Sequence, residues 1–416
     1  MKKYILSAMM IGLMLLTTAC SKDDDSVLPN SESTNAHVNA PTKTVLIYMA
    51  GRNDLSSTMM ADLREVKEGS KKLQPNENLI VFVRSSQEPQ PWVARICSGV
   101  VTDSVSLSDL GIKSSDGQNR ASDPVVMEGV INYAFKHYPA TSGSYGLVIE
   151  GHGNGWLMKK EVTLPRTRAA LVDCGENDSF KEGRWINIPT MASILKSVPH
   201  LKFIMTDCCN MMCLENLYEL RNVCDYMIGS PAEIPVCGAP YDQIVKDLFN
   251  DGQFYTSIIN KYYNSVNGSL PLVAVKTSEM ENMAYATRTA LQTLRETMGS
   301  SYPDMTGIIH YYHTDDGKDF HPEYNIFYDA GDFMRTFASA DVYQQWHQAL
   351  DRAIVEKRMA TQWATDEPWD WKYADFTVTK EMFHGVSMFV PQDPTQGNYA
   401  QYNEDIKFMA WYAATN

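Results

Sequence analysis

With 36 Lys and Arg against 50 Asp and Glu, the 416-residue chain lacks the basic surplus that nucleic-acid binding needs. Counterion release from phosphates requires clustered cations. A net charge of -14 suits solubility and cationic partners instead. No internal repeat and no low-complexity tract is present, so solenoid and array architectures are set aside. Also missing are cysteine pairs two to four residues apart with a second such pair elsewhere, which disfavours a zinc site built on Cys208, Cys209, Cys213 and His152. The stretch His310, His313, Asp315, Asp316, Asp319 and His321 lacks the full calcium-loop pattern and reads as a solvated loop, which leaves calcium unassigned and no cofactor required.

What is present bounds the answer further. A composition of 44% hydrophobic and 21% charged residues can bury a large core, in one elaborate domain or two intimate ones. Residues 1–20 open with Lys2 and Lys3, continue with an apolar run too short to span a bilayer comfortably, and reach small residues before Cys20. This is a signal-peptide layout, and Cys20 after Thr17, Thr18 and Ala19 resembles a bacterial lipobox, although Leu16 stands four rather than three positions before it. The acidic run Asp23, Asp24 and Asp25 resembles a surface-export signal, with a solvated charge run as the alternative. From Ser21 to Thr42 the composition is that of a flexible tether. The expectation is an exported protein, lipid-anchored through Cys20 to a bacterial outer membrane and presented at the cell surface if the acidic signal operates.

Eight cysteines in an exported chain raise the question of disulfides, but five of them crowd into residues 208–237, and removing Cys20 leaves an odd number. At least one free thiol is expected. Cys97, Cys174, Cys213, Cys224 and Cys237 read as core residues, because free Cys is among the most buried side chains.

The fold begins after Pro41. Thr44 to Ala50 and Asn78 to Val83 are near-continuous apolar runs of strand length, separated by a helical stretch from Ser56 to Lys72. A helix from Asp123 to Tyr138 then feeds the strand Tyr145 to Ile149, and a helix from Pro189 to Val198 feeds the strand Phe203 to Met205. This alternation predicts an α/β fold with a mostly parallel sheet flanked by helices. Residues 43–265 form the expected catalytic core. Residues 266–416 supply the remaining strands and a C-terminal subdomain, including a strand at Leu272 to Lys276, a helix at Met280 to Met298, a strand at Val386 to Val390 and an amphipathic close at Phe408 to Ala414. Ligands of open parallel sheets bind beyond the carboxyl ends of strands, which puts Gly151-His152-Gly153 and Asp207-Cys208-Cys209 on one rim.

Acyl transfer by cysteine needs a thiolate, an imidazole to protonate the leaving amine, and donors for the developing oxyanion. His152 between two glycines and Cys209 after a strand can supply all three, the donors being the N–H groups of Gly153 and Cys209. The motif EGHGNGW at Glu150 to Trp156, followed by DCCNMMCLENLYEL at Asp207 to Leu220, resembles the clostripain family of cysteine endopeptidases, which shares its fold with caspases, gingipains and legumain. His152 and Cys209 are 57 residues apart, close to the interval of about 50 in caspases. The similarity extends from TVLIYMAGRNDL at Thr44 through GSPAEIPVCGAPYD at Gly229 to GVSMFVP at Gly385.

The resemblance implies an endopeptidase acting through a Cys209–His152 dyad and an acyl-enzyme, with no third residue needed to orient the imidazole. Its register selects Cys209 over Cys208; Cys208 and Asn210 replace apolar residues of the family pattern. It implies that Asp207 contacts a basic P1 side chain, Arg or Lys, through charge-assisted hydrogen bonds, with Glu233 as an added acid. It also implies self-cleavage after the catalytic His, for which Arg166 and Arg168 are the candidates, converting a monomer into a two-chain enzyme. A second function class stays open: a non-catalytic surface lipoprotein binding protein or glycan through the aromatic stretch Trp363, Trp369, Trp371 and Tyr373.

Overall fold

The computed structural model describes residues 40–158, 170–311, 326–361, 363 and 378–416. The chain enters through strand β1 (Lys43–Gly51), in which every residue after Lys43 is buried. Burial on both faces is what turns its sequence into an unbroken apolar run. Helix α1 (Ser56–Ser70) crosses to β2 (Glu77–Ser85), and two further strands, β3 (Trp92–Cys97) and β4 (Val100–Ser106), turn back on it. Helix α2 (Pro124–His137) starts where Asp123 accepts a hydrogen bond from the Val125 amide and Pro124 occupies the first turn, and leads to β5 (Tyr145–Glu150).

A small ribbon of β6 (Ala170–Asp173) and β7 (Arg184–Ile186) precedes α3 (Ile188–Leu195), β8 (Leu201–Asp207), α4 (Leu214–Glu219) and β9 (Cys224–Gly229). Helices α5 (Tyr241–Ile244) and α6 (Phe254–Ser265), strand β10 (Leu272–Lys276) and the long helix α7 (Met280–Met298) follow. The C-terminal part adds β11 (Tyr328–Asp329), α8 (Ala330–Phe337), α9 (Ala340–Ala353), β12 (Ile354–Arg358), β13 (Ser387–Met388), α10 (Tyr399–Asp405) and α11 (Ala410–Thr415).

Nine strands form one sheet in the order β12-β10-β9-β8-β5-β1-β2-β3-β4. The five central strands, β9 to β2, are parallel, as the alternation of strand and helix predicts. The edges correct that picture, because β3, β4, β10 and β12 run antiparallel to their neighbours and make the sheet mixed. Helix α1 packs with α5 and α6 on one face, over Val45, Ile47, Met49, Val148 and Met205. The other face, with Leu46, Tyr48, Leu147, Ile149 and Ile204, is covered by α2, α3 and the C-terminal helices. The expected strand at Val386 to Val390 shrinks to β13, which pairs with β11 outside the main sheet.

All seven described cysteines are free thiols. Cys174, Cys208, Cys213 and Cys224 are buried, but Cys97 and Cys237 are exposed, so the core reading fails for those two. Cys97 is the last residue of β3, next to the edge strand β4, and Cys237 sits in the loop between β9 and α5. Trp363 is wholly buried, its ring 5.1 Å from that of Tyr311, which removes it from any contact surface. Cys20, Arg166, Arg168, His313, Asp315, Asp316, Asp319, His321, Trp369, Trp371 and Tyr373 lie outside the described residues. Among the described residues no helix is long and apolar enough to cross a membrane.

Candidate active site

Strands β5 and β8 are parallel neighbours in register, with Glu150 opposite Asp207. The loops that leave their carboxyl ends therefore emerge side by side. The Gly151 amide donates to the Asp207 carbonyl at 3.3 Å, and the chain then turns through Gly151 with φ +147° to His152. Gly153 lies directly on the Cys209 backbone: a β-carbon there would sit 2.4 Å from the Cys209 carbonyl oxygen and 3.0 Å from its amide nitrogen. Only glycine permits that approach. On the other strand Asn210 adopts φ +59°, a left-handed conformation that Asn tolerates better than Leu, and so turns the chain immediately after Cys209.

His152 and Cys209 line one narrow cavity. Cys209 is half-buried, and its sulfur accepts a hydrogen bond from the Ile234 amide at 3.3 Å. Cys208, by contrast, is buried on the opposite face, with its Sγ donating to the Ile149 carbonyl at 3.5 Å. Burial, reinforced by Asp207 and other negative neighbours, pushes the Cys208 thiol well above its usual range and makes it a poor nucleophile.

The imidazole has a partner that the sequence did not suggest. His152 Nε2 lies 2.7 Å from Asp54 Oδ1, and the hydrogen bond to His152 holds the Asp54 carboxyl below its usual range. Asp54 sits in the β1–α1 turn. This turn is pinned by Asn53 Nδ2 donating to the Val172 carbonyl at 2.8 Å and by Arg52 Nε donating to the Gly175 carbonyl at 2.9 Å. The Leu171 amide donates to the His152 carbonyl at 2.9 Å, so β6 braces the histidine loop from outside the main sheet.

The floor of the cavity is acidic. Asp207 is 5% exposed and accepts three hydrogen bonds, from the Ala239 amide at 2.9 Å, Tyr241 Oη at 3.1 Å and Tyr262 Oη at 2.6 Å. Burial raises its carboxyl above the usual range against these stabilising donors. Asp62 of α1 and Glu150 of β5 line the same cavity. Burial, then the Asp207 charge, pushes Asp62 up to about 8, and burial followed by Asp62 and Asp207 pushes Glu150 well up. Glu233 is half-buried and does not line the cavity, although its neighbours Ile234 and Pro235 do. Among the described residues no three His, Cys, Asp or Glu side chains are arranged to hold a metal ion.

The family model of the clostripain peptidases matches residues 47–416. Among solved structures, a secreted C11 cysteine protease from Bacteroides thetaiotaomicron, in complex with an irreversible peptide inhibitor, shares 27% identity over 90% of this chain and 99% of its own, with a TM-score of 0.71. An inactive zymogen C11 protease from Parabacteroides distasonis shares 25% identity over 91% of this chain and 99% of its own, with a TM-score of 0.72. No curated protein matches the chain significantly. Two loops in contact, a half-buried thiol and an imidazole that line one cavity, and a family match over almost the whole folded region converge: the chain belongs to the clostripain family and is a cysteine peptidase.

Proposed function

We propose that this chain is an exported endopeptidase that cleaves after Arg or Lys through a Cys209–His152 dyad. The observation that carries the reading is the joint opening of His152 and Cys209 into a cavity floored by the buried carboxyl of Asp207. In this scheme the Cys209 thiolate attacks the scissile carbonyl carbon, and the oxyanion is held by the Gly153 and Cys209 N–H groups. The C–N bond breaks as His152 gives its proton to the departing amine. Water, deprotonated by His152, then attacks the thioester, and the acid product leaves with Cys209 restored. Asp54 holds the imidazole orientation through Nε2.

A peptide with a cationic P1 side chain reaches the hydrogen-bonded carboxyl of Asp207, which supports Arg or Lys at P1. Self-cleavage at Arg166 or Arg168, lipid attachment at Cys20 and outer-membrane location are parts of the same proposal. The description of a relative as secreted is in keeping with export. A peptide-library digest with wild type, Cys209→Ala and Asp207→Ala tests the core of it. Wild type is expected to cut after Arg or Lys, Cys209→Ala to be inert, and Asp207→Ala to lose the P1 preference. Residual cutting by Cys209→Ala ends the dyad assignment, and an unchanged P1 preference in Asp207→Ala ends the pocket assignment.

A further inference from the structure

Asp207 does not stand alone in the cavity. Its Cα partner across the β5–β8 pairing is Glu150, so the two side chains leave the sheet on the same face, the one covered by α1. Asp62 projects from α1 into the space between them. Gly238 forms the opposite wall with φ +60°, and a β-carbon there would meet Asp207 Oδ2 at 3.0 Å and Asp62 Oδ2 at 3.6 Å. The glycine thus keeps a gap open where two carboxyls converge. Among the described residues no Lys or Arg lines this cavity.

The three acids differ in how they are satisfied. Asp207 has its three neutral donors. Glu150 is only 6% exposed; its carboxyl interacts with Asp62 and Tyr241, yet its Oε2 is buried without a well-formed hydrogen bond. A buried carboxyl oxygen with no donor costs free energy that a fold seldom leaves uncompensated. Two carboxyls that merely shared a proton for structural reasons would be expected in a closed core; these open beside the sulfur of Cys209. What the set lacks is a cation bearing several N–H donors, which would at once neutralise the cluster and supply the missing bonds.

We propose that Glu150, together with Asp62, is a specificity-determining acceptor for the cationic end of the P1 side chain, with Asp207 holding its other edge. This deepens the Arg or Lys reading above and rests on it. The incoming guanidinium or ammonium donates to Asp207 on one side and to the Glu150–Asp62 pair on the other. No bond between heavy atoms changes in that step; the proton held by the Glu150–Asp62 pair leaves to solvent as the cation takes its place. A neutral side chain of equal length leaves Glu150 Oε2 unpartnered and is rejected.

The test uses four fluorogenic peptide amides that differ only at P1: Arg, its neutral isostere citrulline, Lys and its neutral counterpart norleucine. Values of kcat/KM are compared for wild type, Glu150→Gln, Asp62→Asn and Asp207→Asn, with the active fraction of each counted by thiol alkylation at Cys209. Glu150→Gln is expected to lower the Arg/citrulline and Lys/norleucine ratios by about 10- to 100-fold, the effect of losing one charged hydrogen bond. Asp62→Asn is expected to lower them in the same direction, and it carries the test if Glu150→Gln fails to fold. Unchanged ratios in both variants, with a collapse in Asp207→Asn, overturn this inference and leave the basic P1 reading standing. Equal losses on cationic and neutral substrates also overturn it, since they mark a structural role. A wild type that ignores P1 charge overturns the basic P1 reading itself.

Discussion

Replacing Glu215 by Gln should make the protein more resistant to unfolding at alkaline pH and change it little at acidic pH. Glu215 lies in the first turn of α4, wholly buried, where its Oε1 accepts the Phe389 amide at 2.7 Å and its Oε2 has no partner. Burial pushes its carboxyl from 4.5 up to about 7. Because the folded value lies above the unfolded one, the folded protein binds this proton more tightly. The stabilisation is therefore fully present below the unfolded pKa and is lost as pH rises through the folded one. Integrating between about pH 5 and about pH 8.5 gives a loss on the order of 2–3 kcal/mol from this one group. Gln keeps the acceptor for Phe389 and cannot ionise, so Glu215→Gln should escape that loss. Asp62 and Glu150 titrate in both proteins and cancel in the difference, being separate from this site. Urea unfolding followed by tryptophan fluorescence at the two pH values measures it. If the stability difference between variant and wild type is the same at both, the buried ionisation of Glu215 is not what the structure implies.

Two further substitutions probe the loops that carry His152 and Cys209. Gly153→Ala puts a methyl group 2.4 Å from the Cys209 carbonyl oxygen, so the loops must separate; a fall in kcat of about 100-fold or more is expected, as a displacement of about 1 Å can cost, and near-normal turnover would contradict the close approach. Asp54→Ala removes the partner of His152 Nε2. Its carboxylate is 61% exposed, so solvent screening limits the expected drop in kcat to about 2- to 10-fold, with partial recovery in Asp54→Asn; no change in steady-state kinetics would remove Asp54 from the site.

How much of this was legible beforehand depends on where the information sits along the chain. The runs at Val45 to Ala50 and Leu79 to Val83 announce buried parallel strands because both of their faces are covered, and the structure has them as β1 and β2. The hairpin of β3 and β4 gave no such signal, since β4 is largely exposed and its Val100 and Val101 face solvent. His152 and Cys209 stand out because glycines flank one and an aspartate precedes the other at the ends of strands. Glu150, Asp62 and Asp54 do not, because Glu150 and Asp62 reach the cavity by register and helix placement, and Asp54 reaches His152 from the β1–α1 turn, rather than by local pattern. A residue two positions before the histidine becomes a pocket wall only once β5 is known to pair with β8, Glu150 opposite Asp207. Trp363 misled for the opposite reason: an aromatic-rich stretch suggests a contact surface, yet that ring is packed away against Tyr311.

Of the seven described free thiols, only the Cys209 sulfur is proposed to do the chemistry. Incubation with an irreversible peptide inhibitor bearing Arg or Lys at P1, followed by intact-mass measurement and peptide mapping, addresses it directly. One adduct per molecule, on Cys209, with complete loss of peptidase activity and no adduct on Cys209→Ala, is the predicted result. An adduct on Cys208 or Cys237, or full activity after Cys209 is modified, would contradict it.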